Sequence, residues 1–262
     1  MEFFTIASSS SGNASLVREE GAALLIDAGI SARRIAQSLA ALGMTPDELD
    51  AVLVTHAHSD HIAGIATLTK KYAVPVYASR AAAPFLSCAG PVLRVFDAPC
   101  TMELGPFTVR SFSTSHDAAG SVDYRIDCAS GSLGLLTDTG FVTESAASLL
   151  PGVDTLLLEA NHDVELLRSG PYPYHLKRRI LSDLGHLSND AAADFALECV
   201  RRGTRDILLA HLSAENNTPE LAEYAVARRL QAAGLPVRLS VAPRDRLSEA
   251  HVVMRDALCE AK

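Results

Sequence analysis

Thr55-His56-Ala57-His58-Ser59-Asp60-His61 places three imidazoles and a carboxylate within six residues, directly after the apolar run Ala51-Val52-Leu53-Val54. The whole chain has nine histidines in 262 residues, so three in six is not a matter of average composition. A buried strand that stops at a tight polar turn can aim all four side chains into one space. Neutral imidazole and carboxylate suit zinc and neighbouring divalent metals. A catalytic ion must keep one position open for water, so four donors exceed the needs of a single ion. The spacing points to two ions sharing one cleft.

On either side of this segment, apolar runs alternate with amphipathic stretches. Residues 22–26 form a short apolar run closed by the turn Asp27-Ala28-Gly29. Ser31 is placed to cap a helix whose Ile35, Leu39 and Leu42 share one face, with Gly43 as its stop. Val122, Tyr124, Ile126 and Cys128 alternate with Asp123, Arg125 and Asp127, the period of a half-buried strand. Residues 133–136 follow Ser130-Gly131-Ser132 and read as the return of a hairpin. Strands are predicted over 155–158, 207–210 and 237–241. Helices are predicted from Asn189 to Arg202, stopped by Gly203, and from Pro219 to Gly234. Hairpins mixed with outer helices predict an α/β (α+β) fold in four layers: two mixed sheets face to face, helices outside. No linker rich in Pro, Gly or Ser divides the chain, so one domain is expected over 1–262.

Composition narrows the function classes. Apolar residues make up 48% and charged residues 21%, enough for a large core and too little charge for extensive disorder. Charges or turn residues interrupt every apolar run short of bilayer length. The opening Met1-Glu2-Phe3-Phe4-Thr5 carries an acid where a secretory signal is positive, so a cytoplasmic location is expected. Cys88, Cys100, Cys128, Cys199 and Cys259 are odd in number, scattered and never paired as C-x-x-C. That argues against a disulfide framework and a thiolate zinc site, and leaves them as small core residues. The net charge of −8 weighs against a protein that grips long stretches of nucleic acid by neutralising phosphates. Any such grip must be local or rely on metal ions.

Three later motifs arrive in order, each just after a strand-like segment: Ser115-His116-Asp117, Leu136-Thr137-Asp138-Thr139-Gly140 and Ala210-His211-Leu212-Ser213. With H-x-H-x-D-H, they resemble the signature of the metallo-β-lactamase superfamily. The resemblance implies a four-layer αββα sandwich in which His56, His58 and His116 bind one metal. It implies that Asp60, His61 and His211 bind the other, and that Asp138 bridges them. Aspartate in place of cysteine at the bridge disfavours the antibiotic-hydrolysing members that use a thiolate there.

Two further segments, Leu158-Glu159-Ala160-Asn161-His162-Asp163 and Gly185-His186-Leu187-Ser188-Asn189, resemble the acid and histidine pair of the tRNA-maturing and phosphodiesterase branch. In that branch the histidine contacts the scissile phosphate and the glutamate orients it, which here implies His186 and Glu159. Ala7-Ser8-Ser9-Ser10-Ser11-Gly12-Asn13, Thr114-Ser115-His116-Asp117-Ala118, Tyr172-Pro173 with Leu176-Lys177, and His211-Leu212-Ser213 narrow this further. They resemble the YycJ/WalJ-like family over about residues 3 to 240. One departure is Ser9, where that pattern leads one to expect glycine. The resemblance implies a metal-dependent DNA exonuclease acting from 5′ ends with manganese or zinc; iron also suits such a donor set.

Under that reading a metal-bridged hydroxide attacks phosphorus, its water acidified from a pKa near 16 to about 7. Asp60 accepts a proton and His186, held by Glu159, protonates the leaving oxygen. Lys177, Arg178 and Arg179 form a compact basic run that is either a solvated helix face or a clamp for the next phosphates. Ser11 and Asn13 could bond metal ligands or phosphate, or could belong to a turn of small residues. His162 is either support for the site or structural. His175 and His251 have no partner motif and read as ordinary residues, and Asn216 and Asn217 read as a helix-capping turn. The alternatives are a thioesterase, lactonase or β-lactam hydrolase, an RNA-processing or small cyclic phosphodiester hydrolase, and a catalytically silent scaffold. Glu159 and His186 favour phosphorus over carbonyl chemistry, and a complete ligand set disfavours the scaffold.

Overall fold

The computed structural model describes residues 1–254; Cys259 lies outside them. In chain order the strands are β1 (Glu2–Ala7), β2 (Ala14–Glu19), β3 (Ala22–Ile26), β4 (Ala51–Leu53), β5 (Val76–Ser79) and β6 (Leu93–Phe96), then β7 (Thr101–Leu104), β8 (Phe107–Ser113), β9 (Val122–Asp127) and β10 (Ser132–Leu136). They continue with β11 (Thr155–Glu159), β12 (Asp206–Ala210), β13 (Arg238–Val241) and β14 (His251–Val252). Two sheets result, in the orders β14-β1-β2-β3-β4-β5-β6 and β13-β12-β11-β10-β9-β8-β7.

Each sheet is mixed. β3 to β6 run parallel, as do β10 to β13. β7 to β10 form antiparallel hairpins, as predicted for the turn at Ser130-Gly131. The inner parallel strands β3, β4, β11 and β12 are the continuous apolar runs because both of their faces are covered. All five residues of β10, β11 and β12 are buried.

The helices are α1 (Ala32–Ala41), α2 (Ser59–Ile62), α3 (Ile65–Lys71), α4 (Glu144–Leu149), α5 (Val164–Ser169), α6 (Tyr174–Ile180), α7 (Asn189–Arg201) and α8 (Pro219–Ala232). Ile35 and Leu39 of α1 and Leu68 of α3 pack on Leu25 and Val52 of the first sheet. Phe195 of α7 and Val226 of α8 pack on Leu156 and Leu209 of the second. Between the sheets Phe3, Leu24 and Leu53 meet Phe107, Tyr124 and Leu135. These three apolar interlayers make four layers, the predicted sandwich. Among the described residues no helix is long and apolar enough to cross a membrane.

The local signals behave as their chemistry requires. The Ser31 hydroxyl accepts from Arg34 N at 3.3 Å, and Gly43 ends the helix in the left-handed region at φ 74°. One expectation fails in an informative way. Asp123 alternates with apolar neighbours but does not lie on a solvated face, because the chain leaving β10 folds over it. Its carboxylate accepts from Tyr124 N at 2.9 Å and from Thr137 N at 2.8 Å. Burial pushes its pKa up to about 8, against those two hydrogen bonds.

The turn at Asp27-Ala28-Gly29 seats α2. Ala28 N donates to His61 O and Gly29 N to Asn13 O, while Asn13 N donates to Asp60 O, each at 2.8 Å. A Cβ on Gly29 would land on the Asp60 carbonyl oxygen. Gly29→Ala is therefore expected to cost about 3 kcal/mol of stability. Denaturant unfolding with the midpoint compared to the parent chain checks this; an unchanged midpoint would mean that the turn can move away from α2.

Candidate metal centre

The functional side chains sit where parallel strands end, the usual ligand position in sheets of this kind. His56 follows β4, Asp138 follows β10, Glu159 closes β11 and His211 follows β12. Asp27, Asp138 and His211 lie in the left-handed region, at φ 58°, 51° and 56°. Asp and His tolerate that conformation better than most residues, but it carries a cost that persists only where the surroundings enforce it. Here the enforcement is hydrogen bonding, as at His211, whose N donates to Ser8 Oγ at 2.9 Å while its carbonyl accepts from Asn161 Nδ2 at 2.8 Å.

All seven residues of the expected ligand set converge. His56 Nε2 and His58 Nδ1 are 3.1 Å apart, and His58 Nδ1 and His116 Nε2 are 3.2 Å apart. Tetrahedral coordination at ordinary zinc–nitrogen distances would set ligand atoms about 3.3 Å apart. Burial holds His56 well below the usual imidazole range and lowers His116, so both present lone pairs. Next to them Asp60 Oδ2 lies 3.6 Å from His61 Nε2 and 3.8 Å from His211 Nε2. Asp138 stands between the groups, with Oδ2 3.2 Å from His61 Nε2 and Oδ1 3.6 Å from His116 Nε2.

What orients these rings is a set of bonds on their far sides. His61 Nδ1 donates to Asp27 Oδ2 at 2.7 Å, and Asp27 also accepts from Thr55 N and Thr55 Oγ1. His116 Nδ1 donates to Gly185 O at 3.1 Å. His211 Nδ1 donates to Glu159 Oε1 at 3.0 Å. Each bond sets a tautomer that leaves Nε2 toward the centre. Asp27 is the site residue that sequence reasoning missed, having been read only as a strand-closing turn. The signal was present: Asp27-Ala28-Gly29 and Asp138-Thr139-Gly140 are the same D-x-G pattern at the ends of two buried strands.

Glu159 does more than its predicted task. It is fully buried, and its Oε1 also accepts from His186 Nδ1 at 2.7 Å, while Oε2 accepts from Thr139 N and Leu187 N. Burial alone would raise its pKa, but His186 and His211 outweigh that and hold it at about 2. The His186 ring lies between those of His116 and His211, at 5.2 and 5.3 Å. Its Nε2 makes no hydrogen bond among the described residues.

The residues expected to touch substrate fare differently. Lys177 does not reach into the cleft: its Nζ donates to Arg168 O and Gly170 O, at the end of α5. Arg178 lies over the Tyr174 ring at 5.9 Å. Only Arg179 approaches the centre, paired with Asp117, whose Oδ1 is 3.6 Å from both His58 Nε2 and His116 Nε2. Asn13 Nδ2 stands 3.1 Å from His61 Nε2, and Asn13 Oδ1 accepts from Ser9 N. Ser11 is exposed, its N bonded to Ser9 Oγ. Ser9 keeps a negative φ, so the loop has no need of glycine there.

His162 is buried with neither ring nitrogen bonded, and burial lowers its pKa to about 4. His251, read as partnerless, donates to Asp206 at 2.8 Å, at the opposite end of β12 from His211, and His175 is exposed. Asn217 accepts from Thr218 N and exchanges hydrogen bonds with Asn189, joining the starts of α7 and α8, while Thr218 is the cap of α8.

The donor set fits divalent cations. Asp138 Oδ2 and His211 Nε2 are buried at the centre without a hydrogen-bond partner. Burial opposes charging His211, yet Asp138, Asp60 and Glu159 outweigh it and lift the pKa to about 10. Asp27 and Asp138 likewise outweigh burial and lift His61 well above its ordinary value. A cluster that pulls protons onto buried imidazoles has excess negative charge, which metal ions can balance in their place.

A layered fold with paired imidazole and carboxylate donors at its strand ends is that of the metal-dependent hydrolases of the metallo-β-lactamase superfamily, whose family model matches residues 9–99. Exodeoxyribonuclease WalJ of Streptococcus pneumoniae (strain D39) is 41% identical over 243 residues, covering 90% of each chain. Exodeoxyribonuclease YycJ of Bacillus anthracis is 38% identical over 242 residues, covering 90% of this chain and 92% of that one. The chain belongs to the WalJ/YycJ family of that superfamily. The structure of YhfI from Bacillus subtilis shares the fold at 18% identity, with a TM-score of 0.74, covering 95% of this chain and 99% of that one.

Removing the Asp27 carboxylate while keeping its size isolates the far-side bonds. Asp27→Asn is expected to weaken metal binding about 10- to 100-fold. Titration calorimetry of the metal-stripped protein with zinc measures this, and unchanged affinity would show that Asp27 only shapes the turn.

Proposed function

We propose that this chain is a metal-dependent DNA exonuclease that works from 5′ ends and uses two divalent ions, zinc or manganese. His56, His58 and His116 would hold one ion, Asp60, His61 and His211 the other, with Asp138 shared. The observation that carries the reading is the buried Glu159 beneath His186, with the ring's Nε2 left free at the edge of the donor cluster. A thiolate departs without help, but the alkoxide released from a phosphodiester needs a proton. An imidazole held on one side by a carboxylate supplies one from the other. The names of the WalJ and YycJ relatives support DNA as the substrate.

When bound, the ions bring a water within reach of deprotonation at neutral pH and stabilise charge on the phosphate oxygens. The chain's own groups do the rest. Asp60, partly exposed at the mouth, takes a proton from the attacking water. The new P–O bond forms as the bond to the departing strand breaks, and His186 Nε2 protonates that oxygen. Glu159 stays ionised throughout and keeps Nδ1–H in place, which fixes the ring with Nε2 free. Arg179 is suited to the neighbouring phosphate, exchanging Asp117 for the anion.

End-labelled linear duplex incubated with manganese, beside closed circular duplex, tests the assignment. Stepwise loss from 5′ ends with circles spared is expected, abolished by chelator and restored by added metal. Loss of circles would replace an exonuclease with an endonuclease, and no loss of any DNA would overturn the nuclease reading. His186→Ala is expected to lower kcat on DNA about 100-fold or more with metal content unchanged. Full activity in that variant on an unactivated phosphodiester would remove His186 from the mechanism.

A further inference from the structure

An acidic chain has to hold a polyanion, and its basic run offers the centre a single cation: Lys177 is engaged by α5, and Arg179 alone stands at the centre, paired with Asp117. Beside the cleft, however, lies a set of large apolar side chains left in solvent. Phe141 is 47% exposed, Leu181 42%, Leu184 52% and Tyr174 76%. They belong to two segments that lead directly to site residues. Phe141 lies three residues after Asp138, and Leu184 two before His186.

These segments are packed against one another. Gly140 N donates to Ser115 O, Ser115 Oγ donates to Asp183 O at 2.7 Å, and a Cβ on Gly140 would strike the Asp183 carbonyl. Thr139 Oγ1 donates to Phe141 O at 2.7 Å, so the segment bearing the phenyl ring is fixed from the Asp138 side. Tyr174 and Arg178 of α6 and Leu181, its C-cap, follow at helical spacing i, i+4, i+7, about 10 Å from end to end. Arg178 already lies over the Tyr174 ring.

We propose that Phe141, Leu181 and Leu184, continued by Tyr174 and Arg178, form a platform on which unpaired bases of the DNA strand stack beside the scissile phosphate. The inference rests on the nuclease reading above. Two things favour bases over other occupants. The two segments that bear it pack on one another and lead directly to Asp138 and His186, and an acidic protein that cannot neutralise many phosphates must draw affinity from uncharged contacts. Aromatic faces supply such contacts whatever the base. It follows that the affinity for DNA depends only weakly on salt.

The test uses single strands with either thymine or an abasic tetrahydrofuran residue at the two nucleotides nearest the cleaved end. For the parent chain, loss of these bases is expected to raise KM about tenfold with kcat little changed. In Phe141→Ala, KM on the thymine strand is expected to rise by a similar factor, and removing the bases should add little. Phe141→Trp, which restores a flat ring, should restore the difference. Equal penalties for base removal in parent and Phe141→Ala would overturn the platform while leaving the nuclease standing. A parent chain inert on every strand would overturn the nuclease reading and the platform with it. Light scattering guards against one other occupant: a parent dimer that Phe141→Ala converts to monomer would make this surface a subunit interface and refute the proposal.

Discussion

Two buried carboxylates hold the centre in shape. Asp27 in the first sheet and Glu159 in the second each accept the Nδ1–H of an inward-facing histidine, His61 and His211. A side chain in water samples several rotamers, and a donor that must first be ordered binds a metal weakly. Here the ordering is done in advance, by charge-assisted bonds in a medium of low dielectric where such bonds are strong. The same carboxylates also accept backbone N–H groups, from Thr55 to Asp27 and from Thr139 and Leu187 to Glu159. Ring orientation and loop shape are thereby tied together.

That arrangement needs a scaffold that can bury ionised carboxylates without leaving them uncompensated. The two sheets provide it by bringing the carboxyl ends of their parallel strands to one edge. Links between the sheets fix their register there, through Tyr124 OH donating to Val54 O at 2.7 Å and Val122 N donating to Thr55 O at 3.0 Å. The left-handed residues Asp27, Asp138 and His211 are where the chain must turn sharply to keep a functional side chain at the strand end. Strain at these points is held by the hydrogen bonds around them, not by the intrinsic preference of the residues.

Electrostatics also connects the site to the substrate. A protein with net charge −8 has no long-range attraction for DNA, so specificity for the reacting phosphate has to be generated locally. In the proposed mechanism, bound metal ions and Arg179 would supply that local charge in a region whose own carboxylates would otherwise repel the substrate. Affinity beyond the reacting phosphate then falls to contacts that need no charge.

The four-layer architecture, and the set of imidazoles and carboxylates that gathers at one edge of it, were legible in the residues and in the resemblance they carry. The helix capped by Ser31, the helices opening at Asn189 and Pro219 and the apolar runs between them mark the elements, because hydrophobic period and capping chemistry are local properties. The order H-x-H-x-D-H, His116, Asp138, His211 points to the donors, since few other uses collect those side chains at strand ends. Roles that depend on which atom faces which could not be read. Asp27 passed for a turn residue, Glu159 for the partner of His186 alone, and Lys177 was left between a solvated helix face and a phosphate clamp. Only the packing of the sheets decided that Asp27 lies behind His61, 34 residues away, and that Glu159 serves His186 and His211 at once. Residue type and spacing determine what a side chain can bind. Its partner is chosen by contacts distant in sequence, which exist only once the layers have closed.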